Sequence, residues 1–380
     1  MALRKVIFWV HLVCGLVAGV VIAIMSATGI AIAFEHEILE WLDRDVRQVS
    51  SASGDRPRLT IEELDDQLRE SHPSFKASMV IVPKDSSLAY QYFSGRELAL
   101  YVDPYTGEAR EPKSTSAHTF LHTLEDWHRW LGMKGKGQAA GKAITGVCNF
   151  AFLILCCTGL YLWFPRRWNW KAFRPVIWFV RRQQSRARNF NWHNVMGFWC
   201  LPVLVVLVAT AVVISYAWAH RLVFTLAGEP APDARGPGIL ATPPVQVPPA
   251  AADHPRVPLE HILTRLKSDF PEWESIALPL GSSPGNKVQP LNCVVFEPAP
   301  FATRGRIQVA MDPFRGDVLS KVGFDDRTPG VRARIWVRFL HTGEAFGVSG
   351  KIIAVVATAG SLLLVYTGFA LSYRRFFRKV

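Results

Sequence analysis

The apolar positions of this chain gather into four long runs, at residues 6–34, 143–164, 194–219 and 352–373. A helix of about 20 apolar residues crosses the ~30 Å hydrocarbon core of a bilayer, so each run predicts a transmembrane helix. The first run carries no Asp, Glu, Lys or Arg; its one ionisable side chain is His11. Arg4 and Lys5 precede it, as they would a secretory signal. Its length and the acidic residues that follow from Glu35 favour a retained span.

Between the runs the pattern changes. Thr60 is followed three residues later by Glu63, and Ile61, Leu64 and Leu68 share a helical face, which predicts a capped amphipathic helix. Strand-like runs follow at 78–82, 88–93 and 98–102, and Asp103-Pro104-Tyr105-Thr106-Gly107 predicts a tight turn. After the Pro- and Ala-rich stretch 229–258, the order returns: a helix from Pro258, strands at 288–296 and 306–311, and the turn Asp312-Pro313-Phe314-Arg315-Gly316.

The repeat extends to the apolar runs. Thr28 follows His11 at the same spacing as Thr210 follows His193. Thr158-Gly159 and Thr367-Gly368 lie near the ends of the second and fourth runs, each before a pair of arginines. His128 and His341 lie shortly before those runs. The predicted fold is therefore an all-α four-helix membrane bundle carrying two duplicated external α+β modules, with a pseudo-twofold axis along the membrane normal. The predicted segments are a first span at 1–36 and a module at 37–138. A second span at 139–165, a basic loop at 166–192 and a third span at 193–220 follow. The linker and second module occupy 221–346, the fourth span 347–373 and the tail 374–380.

Charge orients this arrangement. The loop at 165–192 holds eight Arg or Lys and no Asp or Glu, and both ends of the chain are basic. Positive residues remain in the cytoplasm, so both termini and the loop are predicted to be cytoplasmic and the modules external. The formal net charge of +12 is then mostly a topology signal. Trp and Phe alternate with arginine in the loop, which suits a lipid surface better than nucleic acid. Five of the six cysteines lie in the spans, and only Cys293 is external, so no disulfide within a module is available. There is no C-x-x-C-H motif for covalent haem. The Gly-x-Gly-x-x-Ala spacing from Gly135 has no strand before it and lies outside, which excludes a dinucleotide loop.

The candidate chemistry rests on histidines. His72, His118, His254 and His261 fall in the external modules as surface residues. A single histidine at a membrane boundary is more often an interfacial residue than a ligand. A pair that recurs at one helical position inside spans is a functional hypothesis, because ionisable groups there face the bundle interior. His11 with His193 forms one such pair, and His128 with His341, on the external side just before the spans, forms a second symmetric pair. Two imidazoles on facing helices suit the axial positions of a haem iron, whereas zinc wants more ligands. Gly15, Ala18, Gly19 and Gly197 leave room beside these helices or let them pack closely. His36, His122 and His220 compete for the outer site. His36 lies about 340° round an ideal helix from His11, His220 about 180° from His193. Phe120-Leu121-His122-Thr123 repeats Phe339-Leu340-His341-Thr342, so internal comparison leaves His122 and His128 both open as the counterpart of His341.

These motifs resemble the PepSY-associated transmembrane helix family of iron-regulated inner-membrane proteins. The resemblance rests on His11-Leu12-Val13-Cys14-Gly15 with Thr28-Gly29, and on His128-Arg129-Trp130-Leu131-Gly132 with Thr158-Gly159. It also rests on His193-Asn194-Val195-Met196-Gly197, and on Leu340-His341-Thr342-Gly343-Glu344 with Thr367-Gly368. It spans nearly the whole chain and departs at Thr210-Ala211, where the other spans have Thr-Gly. Length and arrangement are most similar to the family's ferrisiderophore reductases. The resemblance favours His128 over His122. It implies two b-type haems, ferric siderophore as the periplasmic substrate, a bacterial inner membrane, and a cytoplasmic or quinone electron donor. The expected function is a di-haem transmembrane ferric reductase, with membrane lipid and no nucleic acid as partner. A non-enzymatic siderophore permease or binding protein, and a regulator of a periplasmic protease, are the alternatives.

Overall fold

The computed structural model describes residues 2–49, 57–95, 97–165, 169–181, 184–233, 245–247, 255–280 and 289–377. Most of the Pro- and Ala-rich linker, His254, and the arginine pair at 166–167 lie outside these residues. The chain divides into two compact units. One comprises residues 1–35, 118–231 and 333–380; the other comprises 36–117 and 232–332.

The first unit is helical. Its long helices are α1 (Ala2–Ile32), α6 (Gln138–Trp163), α8 (Ser185–Ser215) and α12 (Gly347–Phe377). All four are long and apolar enough to cross a membrane. Each packs on two of the others in the cyclic order α1, α6, α8, α12, which makes a four-helix bundle. The side chains turned outward are large and apolar, among them Val13, Val17, Val147, Val206 and Val356. That inversion is what a lipid solvent selects. The third span begins at Ser185 and not at the apolar boundary near 193. Asn189 and Asn191 are buried in its first turns, where Asn191 Nδ2 donates to the carbonyls of Pro175 and Trp178. His193 thus lies inside the helix instead of preceding it. The basic stretch folds in part as α7 (Trp170–Ile177), capped by Asn169 Oδ1 accepting from Ala172 N. Trp170, Trp178 and Phe179 around it are exposed, as a membrane-surface segment requires.

Two further helices of this unit approach the bundle from the other end: α5 (Thr115–Trp130) and α11 (Pro329–Thr342). Their histidine-bearing parts group with the spans, where the sequence boundaries 37–138 and 221–346 had placed them with the external modules. Close backbone contacts dock them. A Cβ at Gly141 would stand 2.1 Å from the Trp130 carbonyl oxygen, and one at Gly350 would stand 2.3 Å from that of Gly343. Only glycine allows these approaches. Thr145 Oγ1 adds a 2.8 Å hydrogen bond to the Arg129 carbonyl.

The second unit holds an open antiparallel sheet. Its strands are β1 (Met79–Pro83), β2 (Tyr90–Ser94), β3 (Glu97–Val102) and β4 (Ala109–Arg110) from the first external segment. β5 (Ser275–Pro279), β6 (Leu291–Phe296), β7 (Arg306–Met311) and β8 (Val318–Val322) come from the second. The order is β4-β3-β2-β1-β5-β6-β7-β8. The two predicted modules are thus fused into one sheet through the pair β1 and β5, with Met79 opposite Pro279 and Ile81 opposite Ala277. α4 (Ile61–Ser71) and α10 (Leu259–Asp269) pack on it, and Leu64, Leu68, Ile262, Leu266, Val80 and Ile276 share one core. The helices also cap each other. Ile61 N donates to Glu260 Oε2, and Leu259 N donates to a carboxylate oxygen of Glu62. The predicted Thr60–Glu63 capping box is present. Both Asp-Pro turns form alike: the buried Asp103 and Asp312 carboxylates each accept from the backbone N–H two residues on, and Gly107 and Gly316 have φ of +76° and +74°.

Also in this unit are α2 (Glu35–Leu42) and α3 (Arg44–Arg47). Asp43 between them is buried. Its carboxylate accepts from Ser114 N at 2.8 Å, Ser114 Oγ at 2.7 Å and the Tyr101 hydroxyl at 3.1 Å.

Candidate functional site

The bundle brings its histidines together in two pairs. His11 on α1 and His193 on α8 have ring centroids 6.3 Å apart, and so do His128 on α5 and His341 on α11. A metal bound to two imidazole nitrogens at ~2.0 Å each, with roughly 1.1 Å from nitrogen to ring centre, separates the centroids by about 6.2 Å. Among the described residues no cluster of three or more His, Cys, Asp or Glu could hold a metal ion. Each pair therefore offers two nitrogen ligands and no more, which fits a metal already held in the plane of a macrocycle.

A threonine orients each imidazole. Nδ1 of His11 lies 2.9 Å from Thr158 Oγ1, and Nδ1 of His193 lies 2.9 Å from Thr367 Oγ1. Nδ1 of His128 lies 3.3 Å from Thr28 Oγ1, and Nδ1 of His341 lies 3.4 Å from Thr210 Oγ1. Every one of these hydroxyls also stands within 2.7 Å of the carbonyl four residues earlier in its own helix: Ile154, Leu363, Ile24 and Val206. The threonine proton goes to that carbonyl. What remains on Oγ1 toward the ring is a lone pair, so the imidazole donates from Nδ1. His128 and His341 also donate from Nδ1 to the carbonyls of Met25, at 2.8 Å, and Leu207, at 3.0 Å. This fixes the tautomer that leaves the Nε2 lone pair for a metal.

Thr28, Thr158, Thr210 and Thr367 mark the repeat in sequence, but their role as ring anchors comes only with the structure. The glycine after three of them has a matching function. A Cβ at Gly159 would sit 3.3 Å from His11 Cε1, and one at Gly29 would sit 3.1 Å from His128 Cε1. The more distant case is Gly368, 3.8 Å from His193 Cε1. The hydroxyl and the missing side chain together admit the imidazole against the facing helix.

Burial favours the neutral imidazole in the outer pair. It holds His128 below the ordinary histidine range, and burial followed by the neighbouring His128 does the same to His341. The competing histidines stand elsewhere. His36 is exposed and faces Glu40 at 3.6 Å; the helix it was counted along ends at Ile32. His122 is more than half exposed, 4.0 Å from Asp126. His220 is buried, but on a separate helix, α9 (Ala217–Leu226), where Arg334 Nε donates to its Nδ1 at 3.3 Å. His128 is therefore the spatial counterpart of His341.

A cavity of about 1150 Å³ surrounds the inner pair, lined by residues of all four spans. Gly15, Gly19 and Gly197 form part of its wall, so the small residues do leave space there. Gly19 is also a close-packing position, since a Cβ would meet the Phe369 ring at 2.8 Å. The polar lining includes Arg4, Lys5, Arg186 and Arg375 and no carboxylate. The cavity exceeds the usual 300–1,000 Å³ of ligand pockets. Its apolar walls, paired imidazoles and cationic rim fit a flat apolar macrocycle with acidic substituents.

Along α1, His11 and Thr28, which faces His128, are separated by about 25 Å at 1.5 Å per residue. The two pairs therefore lie near opposite ends of the bundle, a separation close to the thickness of the bilayer core. This defines a multi-pass membrane protein with an imidazole pair at each end. The chain belongs to the PepSY-associated TM region family, whose model matches residues 8–375. No curated protein matches it.

Proposed function

We propose that the chain is a duplicated, di-haem b-type reductase of the bacterial inner membrane. It delivers single electrons to ferric siderophore on the periplasmic side and releases iron as Fe(II). His11 and His193 would hold the inner haem, and His128 and His341 the outer. The observation that carries this reading is the recurrence of one ligand geometry: two imidazole pairs at 6.3 Å, each ring donating from Nδ1 to a threonine.

Haem bound at such sites supplies reversible one-electron chemistry at iron. The chain contributes the rest. Its threonines hold Nε2 free of a proton. Its apolar spans exclude water from the imidazoles. Arg4, Lys5, Arg186 and Arg375 supply positive charge for acidic groups at the inner mouth. Positive residues at both termini and in the α7 region support a cytoplasmic location for that end, and hence a periplasmic location for the sheet unit. The like order of helix and strands in the two external segments supports duplication. Each substrate iron takes up one electron, and the donor is a cytoplasmic reductant or a quinol. Fe(II) is held less tightly than Fe(III) by hard oxygen chelators, so reduction releases it.

The test is spectroscopic. Protein purified in detergent should show a Soret band and reducible haem bands. Mixing the reduced form with ferric siderophore should reoxidise it and yield Fe(II), trapped by a colorimetric ferrous chelator. Absence of any haem band in protein expressed with adequate haem supply would overturn the proposal.

A further inference from the structure

Arg334 is the feature that the paired histidines do not account for. It lies on α11 with only 9% of its surface exposed. Among the described residues no carboxylate is within ion-pair distance of it. Its Nε donates to His220 Nδ1 at 3.3 Å, and the charge that acts on it is another cation, Arg338. Because His220 accepts at Nδ1, its ring is neutral and cannot balance the guanidinium. A buried charge without a counter-ion is strongly unfavourable, and arginine remains charged under all physiological conditions. The site is short of one negative charge.

Its position says where that charge would come from. Arg334 and His341 are seven residues apart on one helix, so they share a face about 10 Å apart. That is comparable with the reach from the centre of a porphyrin to its carboxylates. Resting on the haem reading above, we infer that Arg334 binds a propionate carboxylate of the porphyrin held between His128 and His341. The Nε–His220 hydrogen bond fixes the plane of the guanidinium. Its two terminal nitrogens remain to meet a carboxylate through paired N–H donors, the geometry arginine is suited to.

The two halves of the chain differ here. Counting back from His128 as Arg334 is counted from His341 leads to Leu121, which is buried. The position that answers to His220 in the first half is Ile38. The ligand histidines are duplicated, but the buried charge is not. At these two positions only the second half carries a charge, so a propionate bound there would turn toward α9 and α11.

The experiment crosses the residue with the ligand's charge. Haem-free protein, wild type and Arg334→Gln, is reconstituted with haem and with haem dimethyl ester, whose carboxylates are uncharged. Soret absorbance reports retention after gel filtration. Wild type is expected to hold two equivalents of haem and to lose at least tenfold in affinity for the ester at the outer site. In R334Q that discrimination should disappear, and Arg334→Lys should restore part of it. A redox titration gives an independent reading: R334Q should lower one of two midpoint potentials and leave the other in place. If wild type takes up no haem, the reductase reading itself fails. If it takes up both haems, and R334Q leaves the ester discrimination and both potentials unchanged, the assignment of Arg334 is overturned. An R334Q protein that does not fold is replaced by Arg334→Met with His220→Leu, which removes the polar pair together; the same two outcomes then decide.

Discussion

Thr158 holds His11 across the interface of α6 and α1, with Oγ1 2.9 Å from Nδ1 and its own proton committed to the Ile154 carbonyl. The imidazole thus receives its orientation from a different helix than the one that carries it. The same relation joins Thr367 to His193, Thr28 to His128 and Thr210 to His341. A hydroxyl that donates along its own helix and accepts across the interface fixes the ring it faces and leaves the far ring nitrogen free.

Removing the hydroxyl should therefore weaken the site without removing a ligand. Thr158→Val is expected to lower inner haem affinity by about 10–100-fold, the usual effect of losing such a partner. Thr158→Ser should retain most of it. Transfer of haem to an excess of haem-free myoglobin, followed by absorbance, measures the difference.

Under the proposed haem reading, removal of each histidine should divide the haem content by site. His11→Ala and His193→Ala should each lose one haem equivalent, and His128→Ala and His341→Ala the other. His122→Ala should lose none, since that ring is exposed and lies about 120° round α5 from His128. A pyridine haemochrome assay against protein concentration counts the equivalents. Retention of both haems in all four ligand variants would refute the ligand assignment.

Helix docking can be tested apart from the ligands. In Gly141→Ala the new methyl would meet the Trp130 carbonyl oxygen at 2.1 Å, and a backbone atom cannot turn aside. The C-terminal end of α5 must shift, carrying His128 with it. The expected cost is about 1–3 kcal/mol, typical of overpacking, with loss of the outer haem and retention of the inner. Thermal melting followed at the Soret band, together with haem content, checks both.

The sheet unit should show a small acid-dependent stability from its capping box. The Thr60 backbone N–H, then its side chain, holds the Glu63 carboxyl below its ordinary value. A depressed carboxyl contributes stability above its unfolded pKa and loses it as pH falls through the folded value. Glu63→Gln should flatten that acid limb by lowering stability near neutral pH toward its acid value. Amide hydrogen exchange across α4 as a function of pH is the measurement.

The sequence alone determined the features that depend on neighbours along the chain. Four apolar runs mark four helices because a lipid solvent demands about 20 apolar residues of each. The Thr60 box and the two Asp-Pro turns read correctly because a cap and a turn are made within a few residues. The pairing of His11 with His193 was legible because each precedes a threonine at the same spacing, Thr28 and Thr210. Tertiary structure decided what depends on contacts distant in sequence. The two modules proved to be one sheet because β1 finds its second partner in β5, nearly two hundred residues on. His36 fell away because α1 stops at Ile32, so a face counted through Phe34 has no meaning. His128 and not His122 stands beside His341, because Gly141 lets the end of α5 dock on α6. The burial of Arg334 is likewise a property of what packs around α11, and no pattern along the chain announces it.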